Sequence, residues 1–212
     1  MAGSVGVIDY GGGNLRNVLN VLSHLGHEAR LVTSPADLEE IDRLVFPGVG
    51  AFGDCVAELD RRGLRQPLLE WIAADLPYFG ICLGYQVLFE RSAESPGAAG
   101  LGVFGGEVVR FSEGSGLKIP HMGWNLVGPT DRSLAIWDGA PDPLYLYFVH
   151  SFHPVPTDGA IVASTTDYGG AFASSVSRGR LFACQFHPER SQEAGLRLME
   201  NFAADAAASA SV

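Results

Sequence analysis

Through residues 5–81, short apolar runs rich in β-branched residues alternate with segments of helical periodicity, and this alternation constrains the fold most strongly. Strand, helix and strand in succession is how a parallel sheet with crossover helices reads. Residues 5–9 are the expected first strand. Leu15, Val18, Leu19, Leu22 and Leu25 then recur at helical spacing, with Gly26 as the stop. Residues 28–32 read as a second strand, after which Ser34 caps and Pro35 opens a short helix ending near Ile41. A third strand at 44–46 is cut off by Pro47 and Gly48. Helical patterns over 54–62 and 64–75 lead to a fourth strand at 77–81, and a further helical pattern covers 83–91.

Beyond Glu94 the texture changes to Gly-rich connections and short alternating segments. Residues 107–111, 144–149, 160–164, 171–176 and 181–186 read as antiparallel strands extending the same sheet. Residues 192–204 form the expected closing helix, with Ala194, Leu196, Leu198, Met199 and Phe202 supplying much of its apolar surface. The expected fold class is α/β: an open, mostly parallel central sheet flanked by helices, with an antiparallel extension. Residues 1–205 read as a single domain, and 206–212 as an Ala/Ser-rich, frayed tail. No internal repeat or interdomain linker is evident.

Composition narrows the function classes. A chain of 212 residues buries roughly 70% of its unfolded surface, so stability needs neither metal nor disulfide staples. Cys55, Cys82 and Cys184 are odd in number and lack paired metal-ligand spacing, which fits a reducing cytoplasm. Lys and Arg total 14 against 24 Asp and Glu, and the net charge of −10 disfavours nucleic acid and anionic membranes as partners. The apolar stretch 76–89 is interrupted by Pro77, Gly80 and Gly84 and is too short to span a bilayer. The opening MAGSVGVIDYGGG lacks a basic segment and does not read as a signal peptide. No metal or cofactor is expected.

The sharpest chemical signal is Gly80-Ile81-Cys82-Leu83-Gly84, between an expected strand and a helical pattern. It has the spacing of a nucleophile elbow with Cys in the usual Ser position. A nucleophile on a cramped strand-to-helix turn needs small residues two before and two after it. A helix N-terminus behind Cys82 would favour the thiolate and help hold an oxyanion. Alone, the pentapeptide reads equally well as a buried cysteine in a Gly-flanked turn.

A thiolate mechanism also needs a base and a group to orient it. His187 ends a strand-like run, and Glu189, two residues on, projects the same way in extended backbone. The carboxylate can then accept from one ring nitrogen while the other faces Cys82. Together with the elbow, this His-Pro-Glu favours catalysis over a structural histidine. His24 and His27 flank a helix end and read as solvated; His121, His150 and His153 sit in polar loops or at strand ends.

Phe46-Pro47-Gly48-Val49-Gly50 follows a parallel strand directly and should line the same crevice, although Pro-Gly alone would explain a tight turn. Gly11, Gly12 and Gly13 could suggest a phosphate cradle. They lack both the Gly-Lys-Ser/Thr ending and the GxGxxG pattern, Arg16 standing at its last position.

GICLGYQ at 80–86, PGVG at 47–50 and QFHPE at 185–189 resemble the class I glutamine amidotransferases, whose flavodoxin-like domain carries Cys, His and Glu in that chain order. IDYGGGNLRN at 8–17, KIPHMGWN at 118–125, FVHSF at 148–152 and HPERSQ at 187–192 are similar to the glutaminase subunits of imidazole glycerol phosphate synthases within that family. The resemblance runs from Val5 to about Phe202. It implies hydrolysis of glutamine and passage of ammonia to a separate (β/α)₈-barrel cyclase subunit in histidine biosynthesis. It also implies Cys82 as nucleophile, His187 as acid and base, Glu189 as its orienter, and the N–H groups of Leu83 and Val49 as oxyanion donors. Gly50, Gln86, Glu94, Ser151 and Phe152 match positions that hold glutamine. Pro120, His121, Met122, Trp124 and Tyr147 match the surface facing the cyclase. Tyr85 stands where Met is commoner, and Arg190 replaces a usual Lys beside the ammonia exit.

The same elbow serves thiol peptidases and γ-glutamyl hydrolases that act alone, and an inactive relative could persist as a scaffold. Glutaminase activity that rises with a cyclase partner discriminates against the first, and alkylation of Cys82 by a glutamine-like electrophile against the second. Met122 and Trp124, in a Gly-bounded and otherwise polar stretch, read either as interface anchors or as core.

Overall fold

Strands alternate with helices along the first part of the chain: β1 (Val5–Ile8), α1 (Leu15–His24), β2 (Ala29–Val32), β3 (Arg43–Gly48), α2 (Phe52–Arg61), α3 (Arg65–Ala73) and β4 (Tyr78–Cys82). A four-residue helix α4 (Leu83–Gln86) follows, then β5 (Phe89–Ser92), β6 (Phe104–Arg110), β7 (His121–Pro129), β8 (Leu144–His150), β9 (Phe152–Pro156), β10 (Val162–Asp167), β11 (Ala171–Arg178), β12 (Leu181–Cys184) and α5 (Gln192–Ala204). These elements come from a computed structural model, which describes residues 4–112 and 117–204. The frayed tail expected at 206–212 lies outside the described residues.

Nine strands form one sheet in the order β2-β1-β3-β4-β12-β11-β10-β7-β8. The first five are mutually parallel and the rest antiparallel. This is the expected parallel sheet with an antiparallel extension. A second sheet, β5-β6-β9, stands apart.

Side-chain alternation explains how the sheet is filled. Leu44 and Phe46 of β3 pack with Phe52, Val56 and Leu59 of α2 and with Leu68 and Trp71 of α3. Val45, between them, joins the opposite layer with Val18 and Leu22 of α1 and Leu198, Met199 and Phe202 of α5. Both faces are covered, so the strands read as continuous apolar runs. The short helix expected after Ser34 is a 3-10 turn, Pro35–Glu40, held by a reciprocal capping box between Ser34 and Asp37.

Four expectations need correction. The helix expected over 83–91 stops at Gln86, because Phe89–Ser92 leaves to pair with β6. Its apolar residues Leu83, Tyr85, Val87, Leu88 and Phe89 are all buried, and such an all-round apolar run does not distinguish helix from strand. The segment 107–111 belongs to the second sheet and does not extend the first. The run expected at 181–186 is antiparallel to β11 but parallel to β4, between which it lies. The strand expected to begin at Ala160 begins at Val162, after a 3-10 turn, Gly159–Ile161. Strands β7 and β9 have no counterpart in the sequence reading. Among the described residues, no helix is long and apolar enough to cross a membrane.

Candidate active site

β2 lies on one side of β1 and β3 on the other, so the chain reverses direction across the sheet there. Open α/β sheets bind ligands at the carboxyl ends of strands near such a reversal. Those ends carry Tyr10 and Asn14 after β1, Val49 after β3, Cys82 at the end of β4, and Gln185 and His187 after β12.

Cys82 has φ 53° and ψ −100°, a conformation that costs a non-glycine residue about 1–3 kcal/mol. Close packing imposes the turn. A methyl group on Gly80 would stand 2.6 Å from the Gly84 carbonyl oxygen, and one on Gly84 would overlap the Phe46 carbonyl of β3. The buried Tyr78 hydroxyl donates to that Gly84 oxygen at 2.7 Å, pinning the far side of the elbow.

His187 follows β12, its backbone held by its N–H to the Tyr147 oxygen at 2.8 Å and by the Ser191 hydroxyl donating to its carbonyl at 2.6 Å. Its Nδ1 lies 2.8 Å from Glu189 Oε1, and because a carboxylate only accepts, Nδ1 carries the proton. Asn14 Nδ2 donates to the same oxygen at 3.2 Å. The His187 side chain is 2% exposed and that of Glu189 0%. His187 Nε2 is buried. Burial pulls the imidazole pKa down, but negative charge on the Cys82 sulfur and the carboxylate of Glu189 outweigh it and raise the pKa to about 10. The site therefore favours the imidazolium form of His187.

Cys82 opens onto a cavity of about 310 Å³, at the small end of the range for ligand pockets. Val49, Gly50, Leu83, Gln86, Glu94, Ser151 and Phe152 all line it, as does Pro120 at its rim. Gln86 Nε2 donates to the Phe152 carbonyl at 3.0 Å and to Gln185 Oε1 at 3.1 Å. Glu94 Oε2 accepts from the Phe52 N–H at 2.8 Å. The Val49 N–H donates to the Tyr10 hydroxyl at 3.0 Å, and that hydroxyl donates back to the Val49 carbonyl at 2.8 Å.

The residues assigned to a partner surface divide. Antiparallel pairing sets Met122 opposite Val149, Trp124 opposite Tyr147 and Leu126 opposite Tyr145 on the outward face of β7 and β8. Met122, Trp124, Leu126 and Tyr145 are 61%, 47%, 46% and 50% exposed, and the Arg190 guanidinium sits 4.3 Å over the Tyr147 ring. His121 departs from expectation: one residue out of step on the strand, it points inward and is buried.

There His121 Nε2 accepts from Asn125, and its Nδ1 is 3.0 Å from His150 Nε2, while His150 Nδ1 donates to the Phe152 carbonyl at 2.8 Å. Both rings sit among Phe111, Phe148 and Phe172 as neutral imidazoles. Burial lowers the His121 pKa to about 4 and pushes His150 down. His27, expected to be solvated, is bonded to Glu200 at 3.0 Å with its side chain 9% exposed.

Tyr10, Asn14 and Gln185 are the site residues that motif reading passed over. Tyr10 and Asn14 stand inside IDYGGGNLRN and Gln185 inside QFHPE, so the signal was present without a role attached. Among the described residues, no group of three or more His, Cys, Asp and Glu is placed to hold a metal.

The family model for glutamine amidotransferase class I matches residues 6–206. The chain is 50% identical to the imidazole glycerol phosphate synthase subunit HisH of Methylococcus capsulatus, over 94% of this chain and 95% of that one. It is 46% identical to the same-named subunit of Rhodopirellula baltica, over 93% and 95%. Among solved structures, it is similar in fold to one described as PurLQS from Thermotoga maritima, with a TM-score of 0.76 at 19% identity over 95% of this chain and 98% of that one. A crystal structure of a glutamine amidotransferase gives a TM-score of 0.70 at 23% identity, over 94% and 98%.

Proposed function

Because the chain belongs to the class I glutamine amidotransferase family and is an enzyme, we propose that it is the glutaminase subunit of an imidazole glycerol phosphate synthase in histidine biosynthesis. The Cys82 thiolate attacks the side-chain carboxamide carbon of glutamine, and the charge that develops on oxygen is held by backbone N–H groups. His187 gives its Nε2 proton to the departing nitrogen, releasing ammonia and leaving a γ-glutamyl thioester on Cys82. The neutral imidazole then takes a proton from water, the hydroxide attacks the thioester, and glutamate leaves as the thiolate reforms. Glu189, assisted by Asn14, keeps the Nδ1 proton in place and stabilises the imidazolium. The observation carrying this reading is the bond of 2.8 Å between His187 Nδ1 and Glu189 Oε1, which leaves Nε2 buried on the side of Cys82.

Leu83 and Val49 are the proposed oxyanion donors. The Val49 N–H is engaged by Tyr10, so this peptide has to turn before it can serve, which makes the subunit weakly active until a partner favours the turned form. Gly50, Gln86, Glu94, Ser151 and Phe152 form the glutamine pocket. Ammonia passes to a (β/α)₈-barrel cyclase, which makes imidazole glycerol phosphate and aminoimidazole carboxamide ribotide. The cyclase docks on the exposed apolar face around Met122, Trp124 and Tyr147, with Pro120 and Arg190 beside it, giving a heterodimer. Three free cysteines suit the cytoplasm. The test is glutamine hydrolysis by the subunit assembled with a candidate barrel partner. Cys82→Ala is expected to abolish turnover while preserving assembly, and appreciable residual turnover removes Cys82 from the mechanism.

A further inference from the structure

Gln185 is fully buried between Cys184 and Phe186, where an apolar side chain would pack without desolvating an amide. Its Nε2 lies 3.4 Å from the Cys82 sulfur. The orientation of this amide is dictated by its neighbours. The Phe152 carbonyl can only accept, so Gln86 must present Nε2 to it, and the second hydrogen on that nitrogen goes to Gln185 Oε1. Turning the Gln185 amide over would set donor against donor. Its Nε2–H is thus committed to the sulfur by a chain of bonds anchored on backbone.

We infer that Gln185 is a further catalytic residue, whose Nε2–H donates to the Cys82 sulfur and holds negative charge there when the thiolate forms and again when it leaves the thioester. The inference rests on Cys82 being the nucleophile. Two features of the site create the need. Helix α4 has only four residues, too few for an appreciable dipole behind the sulfur. The His187 proton is transferred to the leaving nitrogen during the reaction, which removes the positive charge facing the sulfur. An amide N–H does not titrate, so Gln185 remains a donor throughout and transfers no proton.

The test is the pH dependence of Cys82 alkylation by iodoacetamide in the full-length chain, followed by mass analysis of the peptide containing Cys82. Gln185→Met removes the donor at similar size; Gln185→Glu keeps the shape and sets a carboxylate against the sulfur. The midpoint is expected to rise by about one pH unit in Gln185→Met and further in Gln185→Glu, with the high-pH plateau rate preserved. In the assembled enzyme, kcat is expected to fall about tenfold with KM nearly unchanged. If Gln185→Met fails to fold, Gln185→Glu decides alone. A midpoint that stays at the wild-type value, or a loss of rate uniform across pH, assigns Gln185 a packing role and overturns the inference. Failure of Cys82 as nucleophile shows separately, as glutaminase activity surviving in Cys82→Ala, whereas the alkylation midpoint reports only on the bond between Gln185 and the sulfur.

Discussion

The Tyr10 hydroxyl bonds Val49 in both directions, accepting from its N–H at 3.0 Å and donating to its carbonyl at 2.8 Å. Burial holds the phenol protonated, so it can fill both roles at once. In the proposed mechanism the same N–H is needed by the oxyanion, and Tyr10 competes with the transition state for it. Tyr10→Phe keeps the ring, which packs 5.8 Å from Phe46, and removes only the latch. Basal glutaminase activity is expected to rise about fivefold, the equivalent of one hydrogen bond, and stimulation by cyclase ligand to shrink. Unchanged basal turnover in steady-state assays would show that the bond does not restrain Val49.

Glu189 is fully buried with Oε1 shared by His187 and Asn14. Glu189→Gln removes the charge that favours the imidazolium and lets an NH₂ group face Nδ1. A fall in kcat on the order of 10² or more is expected, with KM little affected. Wild-type turnover in the assembled enzyme would assign His187 a different orienter.

Trp124 makes an edge contact with Tyr147 and leaves about half of its surface exposed, 47%. Trp124→Ala is expected to weaken cyclase binding by about 30-fold, as loss of an aromatic interface anchor does, while Tm moves by about 2 °C or less. Calorimetry of binding and of unfolding checks the two halves. A large fall in Tm with binding intact would return Trp124 to the core.

The His121 and His150 pair makes stability sensitive to acid. Both groups have folded pKa values depressed below the ordinary value of 6.5, His121 to about 4. The unfolded chain therefore binds more protons than the folded one between about pH 6.5 and 4, and stability falls as pH drops through that window. Raised to about 10, His187 acts in the opposite sense and withdraws stability as pH rises from 6.5 towards 10. Tm is expected to fall by about 3–6 °C between pH 6.5 and pH 5, and His121→Asn is expected to flatten that slope. A slope unchanged in the variant would assign the acid sensitivity to other groups.

How much of this was legible in the sequence depended on how local the signal was. The parallel strands and closing helix were legible because burial on both faces and amphipathic spacing are properties of contiguous residues. The end of α4 at Gln86 was not, because pairing with β6, more than a dozen residues away, decides it. His187 and Glu189 were legible as a pair two residues apart. The roles of Tyr10 and Asn14 were not, since their partners Val49 and Glu189 lie 39 and 175 positions away. Strand β7 escaped notice because its outward face is apolar and exposed, which inverts the alternation expected of a strand beside solvent.

The place of β12 in the sheet orders events during synthesis. The last strand among the described residues lies at the centre of the sheet, wedged between β4 and β11, and leads directly into His187. Until residues 181–189 have emerged from the ribosome, β4 and β11 have no strand between them, and two open edges face the nascent-chain environment. Cys82 meanwhile has neither Gln185 nor His187 beside it. A chain stopped before residue 181 is thus left with an unclosed sheet, and in the proposed mechanism Cys82 becomes a nucleophile only once the segment carrying Gln185 and His187 has joined it.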